Sequence, residues 1–378
     1  MHGGSRSESP NLDFLRAVAV LSVYYAHALD TFGLADLRPS AKPDLGWFLG
    51  RFGVLIFFVH TSLVLMMSLE RAELAGRPLF SSFYLRRFFR IYPLSMACVA
   101  VVVFFHLPGP LVEWFHPDRL TILTNFLLCT NLFHKWNVMS VLWTLPLEVQ
   151  MYVLLPIVYL LGKKYGMRGI TLLWLGAVIA SYMPRHVSGR FMLAPYIPCF
   201  VAGVASYFVG FGSTRSRLPS IGWPLTIGAA AGIFFVLRSR THFEGSWIMC
   251  AAIGLSAPLF AELEFAPLRK LSAWVARYSY GIYLTHMYAL WTGFIVLKDQ
   301  PVWVRCAVGV GLSVGLPVMF YEIIESPMIR VGTRLANQLP RATKSRARPD
   351  VRFGAPKRSD AAERANARAP VESSEMES

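Results

Sequence analysis

The chain has 378 residues, 54% of them apolar and only 16% charged, with a mean hydropathy of +0.45 and a formal charge of +15. A soluble domain averages about 25% charged residues, so this composition excludes a chain whose surface mostly faces water. The positive charge does not point to nucleic acid, because the basic residues sit in short gaps between apolar runs and in a C-terminal tail, where cytoplasmic loops meet anionic lipid.

A membrane-crossing helix needs about 20 mostly apolar residues. Ten stretches qualify: 12–31, 47–69, 88–107, 142–161, 169–183, 192–210, 221–237, 246–263, 277–297 and 303–324. The expected fold is therefore all-α, a polytopic transmembrane bundle of about ten helices. The first stretch holds Asp13, Arg16 and His27 and is followed by no small-residue cleavage signature, so it reads as a retained helix rather than a signal peptide. The patch 120–133 is too short and polar to cross, and is expected to be interfacial or re-entrant.

Positive residues set orientation. With the N-terminus inside, the short inner loops hold thirteen Lys and Arg and the outer loops eleven, and the eleven from Arg330 onward break the near tie. Both termini are expected in the cytoplasm, in a multi-pass inner (plasma) membrane protein. The domain division is 1–337 for the membrane unit and 338–378 for a basic tail too poor in large apolar residues to fold. The five cysteines are far apart and match no metal-ligand spacing, so neither a disulfide framework nor a metal site is expected.

Ionisable groups inside membrane helices are costly and mark candidate sites. Arg16 and His27 are eleven residues apart, three turns plus about 20°, so they share one face of the first helix with a rise of about 16 Å between them. His27 is suited to accept a proton near neutral pH, and Asp30 can reach its ring; the alternative is a packing histidine. Arg86, Arg87 and Arg90 lie among aromatics in Phe83–Pro93, where helical spacing lets guanidiniums converge on a phosphate, unless they only anchor a positive-inside loop. Glu148 enters an apolar run and needs a partner; an arginine is expected. His60, His286, Glu322 and Glu325 are read as structural hydrogen-bonding groups.

Several motifs occur in a characteristic order: Leu12-Asp13-Phe14-Leu15-Arg16-Ala17-Val18-Ala19 with His27, Gly53–Val59, Arg86–Pro93, Trp143-Thr144-Leu145-Pro146-Leu147-Glu148, Ser279–His286 and Glu325-Ser326-Pro327. In this the chain resembles the acyltransferase family 3 membrane proteins, which O-acylate surface polysaccharides, lipooligosaccharides and some secondary metabolites. The resemblance covers about residues 11–330. The family's Arg-x10-His motif maps onto Arg16 and His27, and its RxxR motif onto Arg87 and Arg90. It implies ten core helices, acyl-CoA as a cytoplasmic donor substrate rather than a resident cofactor, and an acceptor often on the far side of the membrane. His60-Thr61-Ser62 stands where the family commonly has Ser-Gly-Phe. No esterase-like domain follows the tenth stretch, so a periplasmic partner is expected to be a separate protein.

The expected function is transfer of an acyl group, acetyl by expectation, from acyl-CoA to a hydroxyl of a saccharide, glycolipid or related acceptor. Acyl-CoA would place its phosphates on Arg87 and Arg90 with help from Arg86, and run its pantetheine arm beside Arg16 to His27. His27 would act as general base or form an acyl-histidine. Glu148 would orient substrate or support structure. The rival reading is a transporter or flippase using the same polar groups as a proton relay; against it, no paired broken helices mark two matching halves.

Overall fold

Hydrocarbon offers no partner to a peptide group, so an apolar chain satisfies its backbone internally by forming helices. In a computed structural model, residues 9–34, 44–108, 116–182, 192–210, 218–237 and 243–340 are described, and they hold eleven α-helices and no strand. These are α1 (Pro10–Leu34), α2 (Asp44–Leu74), α3 (Leu79–Phe105), α4 (Arg119–Phe126), α5 (Thr144–Ser181) and α6 (Ile197–Gly210), then α7 (Gly222–Leu237), α8 (Glu244–Ser256), α9 (Ala266–Trp291), α10 (Val302–Phe320) and α11 (Ser326–Gln338).

Each of the ten expected stretches is mainly helical over its described residues, with 169–183 followed to residue 181 and 246–263 leaving the helix before Phe260. Five helical runs are long and apolar enough to cross a membrane: Pro10–Phe32, Leu45–Leu74, Leu79–Phe105, Ser140–Ser181 and Val302–Gln338. Ala194–Gly210 and Gly222–Leu237 are apolar but shorter. α9 falls outside for a different reason. It is rich in Tyr, Ser, Thr, His and Arg, and much of that polar complement is buried against other helices. The stretches 142–161 and 169–183 join in α5, broken at Gly166 (φ +61°, ψ −154°), a conformation open essentially to glycine alone. The patch 120–133 forms α4 and a short 3-10 turn, Thr130–Phe133. Asp118 caps α4 through the Thr121 amide, and Lys135 above all, bonded to its carboxyl, holds the Asp118 pKa down at about 2. The tail beyond Pro340 lies outside the described residues, as do Arg38, Lys42, Arg185, Arg190, Arg215, Arg217, Arg238 and Arg240 of the loop comparison.

α1 and α2 run antiparallel in close contact because Gly53 leaves room: a Cβ there would stand 2.5 Å from the Ala19 carbonyl oxygen and 2.9 Å from Val23 Cγ2. Small residues allow such backbone approach in membranes, where dispersion replaces hydrophobic burial as the driving force. Gly203 does the same for α2 and α6, where a Cβ would collide with Ser62 Oγ and the Val59 carbonyl. Ser62, in the His60-Thr61-Ser62 segment, is fully buried and donates within its own helix to Phe58 and Val59.

The end of the bundle where α1 begins is tied by polar contacts. Asn11, 1% exposed, donates through its side chain to the Ala261 carbonyl and accepts from the Leu263 amide, both at 3.0 Å, while its own carbonyl accepts from the Trp223 indole. Glu262 accepts from Ser9 and the Asn11 amide. At the same end Glu73 of α2 bonds Lys163 and Tyr159 of α5.

Candidate functional site

Arg16, Val20, Val23 and His27 follow at i, i+4, i+7 and i+11, one stripe of the unbroken α1. Between the two polar residues, Ala19, Val20 and Val23 wall a cavity of about 20 Å³, room for one or two waters. Gly53 and Phe57 of α2, Glu148 of α5, and Tyr280 and Tyr283 of α9 form the other walls. Arg16 lies one turn before this space and His27 one turn beyond it.

On the Arg16 side is a polar cluster built from distant segments. Glu148, 5% exposed, accepts a 2.6 Å hydrogen bond from the Tyr152 hydroxyl one turn later in α5. Arg16 and Arg87 stand within electrostatic range of Glu148, so the arginine environment expected for it is present, with a tyrosine as the direct partner. Arg16 also lies in range of His60, Arg87 and Glu325.

The three arginines of α3 have different surroundings. Arg90 pairs with Glu325 and lies over the Tyr280 ring, 5.9 Å from its centroid. Glu325 ends a π-helical turn, Tyr321–Glu325, between α10 and α11. Such turns are rare and re-aim side chains, and this one carries a buried carboxylate toward α3. Arg86 donates to Asn337 of α11 at 3.0 Å. The buried Nε of Arg87, like that of Arg86, has no hydrogen-bond partner among the described residues. Three guanidiniums, of Arg16, Arg87 and Arg90, thus gather around Glu148 and Glu325, a setting that suits an anion.

At the other end of the stripe, the His27 ring faces the ring of His286, their centroids 5.2 Å apart and their planes 38° from parallel. Asp30 stays within electrostatic range of His27 but makes no hydrogen bond to it; its carboxylate lies against Gly46 at the start of α2. His286 is 1% exposed and bonds the Ile282 carbonyl, consistent with a structural role, yet its Nε2 has no partner. His60, also read from the sequence as structural, keeps a buried Nδ1 without a partner. Glu325, read from the sequence as a structural group, does pair, with Arg90 235 positions away; the importance of Asn11 the sequence did not reveal, since its partners lie about 250 positions away. The described residues contain no group of three or more His, Cys, Asp or Glu able to hold a metal.

Helices apolar enough to cross a bilayer, with arginines and a histidine along one partly buried stripe, mark a multi-pass membrane protein. A family profile described as "Acyltransferase domain", that of acyltransferase family 3, matches residues 9–322. The chain belongs to this family and is a membrane O-acyltransferase. It is 24% identical to the peptidoglycan O-acetyltransferase OatA of Listeria monocytogenes over 87% of this chain and 57% of OatA. It is 24% identical to the acyltransferase MdmB of Streptomyces mycarofaciens over 88% of this chain and 94% of that protein. It is also 25% identical to a Caenorhabditis elegans protein named regulator of hypoxia-inducible factor 1, over 87% and 81% of the two chains. No solved structure gives a significant match.

Proposed function

We propose that the protein transfers an acetyl group from cytoplasmic acetyl-CoA to a hydroxyl of a saccharide or related acceptor, with ten core helices in the plasma membrane and both termini inside. The observation that carries this reading is the stripe on α1. Its cationic end, its central cavity and its histidine follow in the order that a phosphate, a pantetheine arm and a thioester follow in acetyl-CoA.

Arg87, with a buried donor still unfilled, is the principal phosphate contact, assisted by Arg86. Arg90, held by Glu325, keeps further N–H groups of its fork for the same anion. The pantetheine arm, about 15–20 Å, matches the rise from Arg16 to His27. The cavity between them is too small for the arm at rest, so entry requires α1 and α9 side chains to part. Glu148, fixed by Tyr152, orients Arg16 at the mouth of this passage.

His27 then removes the proton of the acceptor hydroxyl while that oxygen attacks the thioester carbonyl. The carbon–sulfur bond breaks, the thiolate takes the proton back from the imidazolium, and an ester and free CoA result. The name of OatA, a peptidoglycan O-acetyltransferase, supports an acceptor of this general kind, and that of MdmB, an acyltransferase, supports acyl transfer as the reaction.

The test is mass spectrometry of surface glycans from cells expressing the wild type, His27→Ala or Arg87→Ala. Acetyl mass increments should vanish with His27→Ala at normal membrane abundance. Arg87→Ala should raise the KM for acetyl-CoA in isolated membranes. Undiminished acetylation by His27→Ala refutes the base assignment, and a change in glycan amount without a change in acyl mass favours transport.

A further inference from the structure

We infer that His286 is a positioning residue that selects the reactive tautomer of His27; this rests on the reading of His27 as the base. The starting point is a bond whose direction admits one solution. His286 Nδ1 lies 2.9 Å from the Ile282 carbonyl oxygen, and a carbonyl oxygen only accepts, so Nδ1 carries the hydrogen. In a neutral imidazole the other nitrogen, Nε2, is then a bare acceptor. It is buried and has no partner, a state that costs free energy and calls for an explanation.

The neighbouring groups leave one donor for it. Three rings surround His286: Tyr24 at 6.0 Å, Tyr283 at 6.2 Å and His27 at 5.2 Å between centroids. The Tyr283 hydroxyl is committed to the Val141 carbonyl and to Thr144. Ser313 donates to the Gly309 carbonyl, so the Tyr24 hydroxyl must spend its hydrogen on Ser313. Of these three described rings, only His27 retains an N–H to offer. Ring nitrogens sit about 1.2 Å from a centroid, so imidazoles 5.2 Å apart can bring two nitrogens to within about 2.8 Å, a hydrogen-bonding separation, by turning toward each other.

When His27 donates one N–H to His286, its second nitrogen is left as a lone pair. That nitrogen is the one able to take the acceptor hydroxyl's proton. Selecting a histidine tautomer through the nitrogen not used in chemistry is a general device in acid–base sites. α9 is also held rigidly enough to serve: Tyr280 donates to the Ile91 carbonyl and Tyr288 to the Cys98 carbonyl, both on α3, while Gly281 packs against Pro317 of α10.

The experiment compares His286→Ala, His286→Gln and His27→Ala in membranes of cells that contain the native acceptor, with radiolabelled acetyl-CoA as donor. Glutamine can place an amide oxygen where Nε2 lies, so it keeps an acceptor but not the imidazole. His286→Ala should lower the turnover rate at least about tenfold with the KM for acetyl-CoA unchanged. His286→Gln should recover most of that rate, and the 15N spectrum of His27 should pass from one tautomer in the wild type to a mixture in His286→Ala. A wild-type rate in His286→Ala overturns the inference. So does an equal loss in both His286 variants, with or without a lowered melting temperature, because a packing residue behaves that way. If His27→Ala still transfers acetyl groups, the base reading itself fails, whatever His286 does.

Discussion

Replacing Gly53 with alanine tests whether the α1–α2 contact sets the width of the passage. The added Cβ would stand 2.5 Å from the Ala19 carbonyl oxygen, whereas ordinary contact begins at 3.4 Å, so the two helices must part by about 0.9 Å. The obstructing atom belongs to the backbone and cannot rotate away. Overpacking of this kind costs about 1–3 kcal/mol, offset in part by the ~1 kcal/mol that alanine gains over glycine within a helix. The net loss in stability should therefore be modest, up to about 2 kcal/mol. The effect on rate should be larger, because Ala19, Val23 and Gly53 all wall the cavity, and a displacement near 1 Å can cost about 100-fold in turnover. Acetyl transfer in isolated membranes, with thermal unfolding of the purified protein in detergent, measures both. Gly311→Ala is the control: nothing stands within 4 Å of its Cβ, so it should leave the rate unchanged and raise the melting temperature slightly. Should Gly53→Ala turn over at the wild-type rate and melt as high as Gly311→Ala, the close approach does not shape the site.

Glu325→Ala strands Arg90 beside a buried space and should lower stability by about 3–5 kcal/mol, read as loss of folded protein on heating in detergent; the double variant Arg90→Met, Glu325→Met should recover much of it. Equal melting of Glu325→Ala and the wild type would show that the pair is not buried. Asn11→Ala leaves the Ala261 carbonyl and the Leu263 amide without their partner, costing about 1–3 kcal/mol. Limited proteolysis should reveal it as faster cleavage around residues 260–266, and unchanged cleavage would mean that other contacts hold that segment.

The sequence by itself determined that the chain is a helical membrane protein. A peptide backbone in hydrocarbon has few ways to satisfy its polar groups, and the apolar runs leave α-helices. It also determined that Arg16 and His27 share a face, since α1 is continuous and helical periodicity is local. Tertiary structure decided the partners. Arg90 with Glu325, and His27 with His286, are separated by more than two hundred residues and meet only because α3 packs on α11 while α1 packs on α9. The periodicity that places a side chain on a helix carries no information about which helix faces it, so the partners of Glu325, His286 and Asn11 became visible only in the packed bundle.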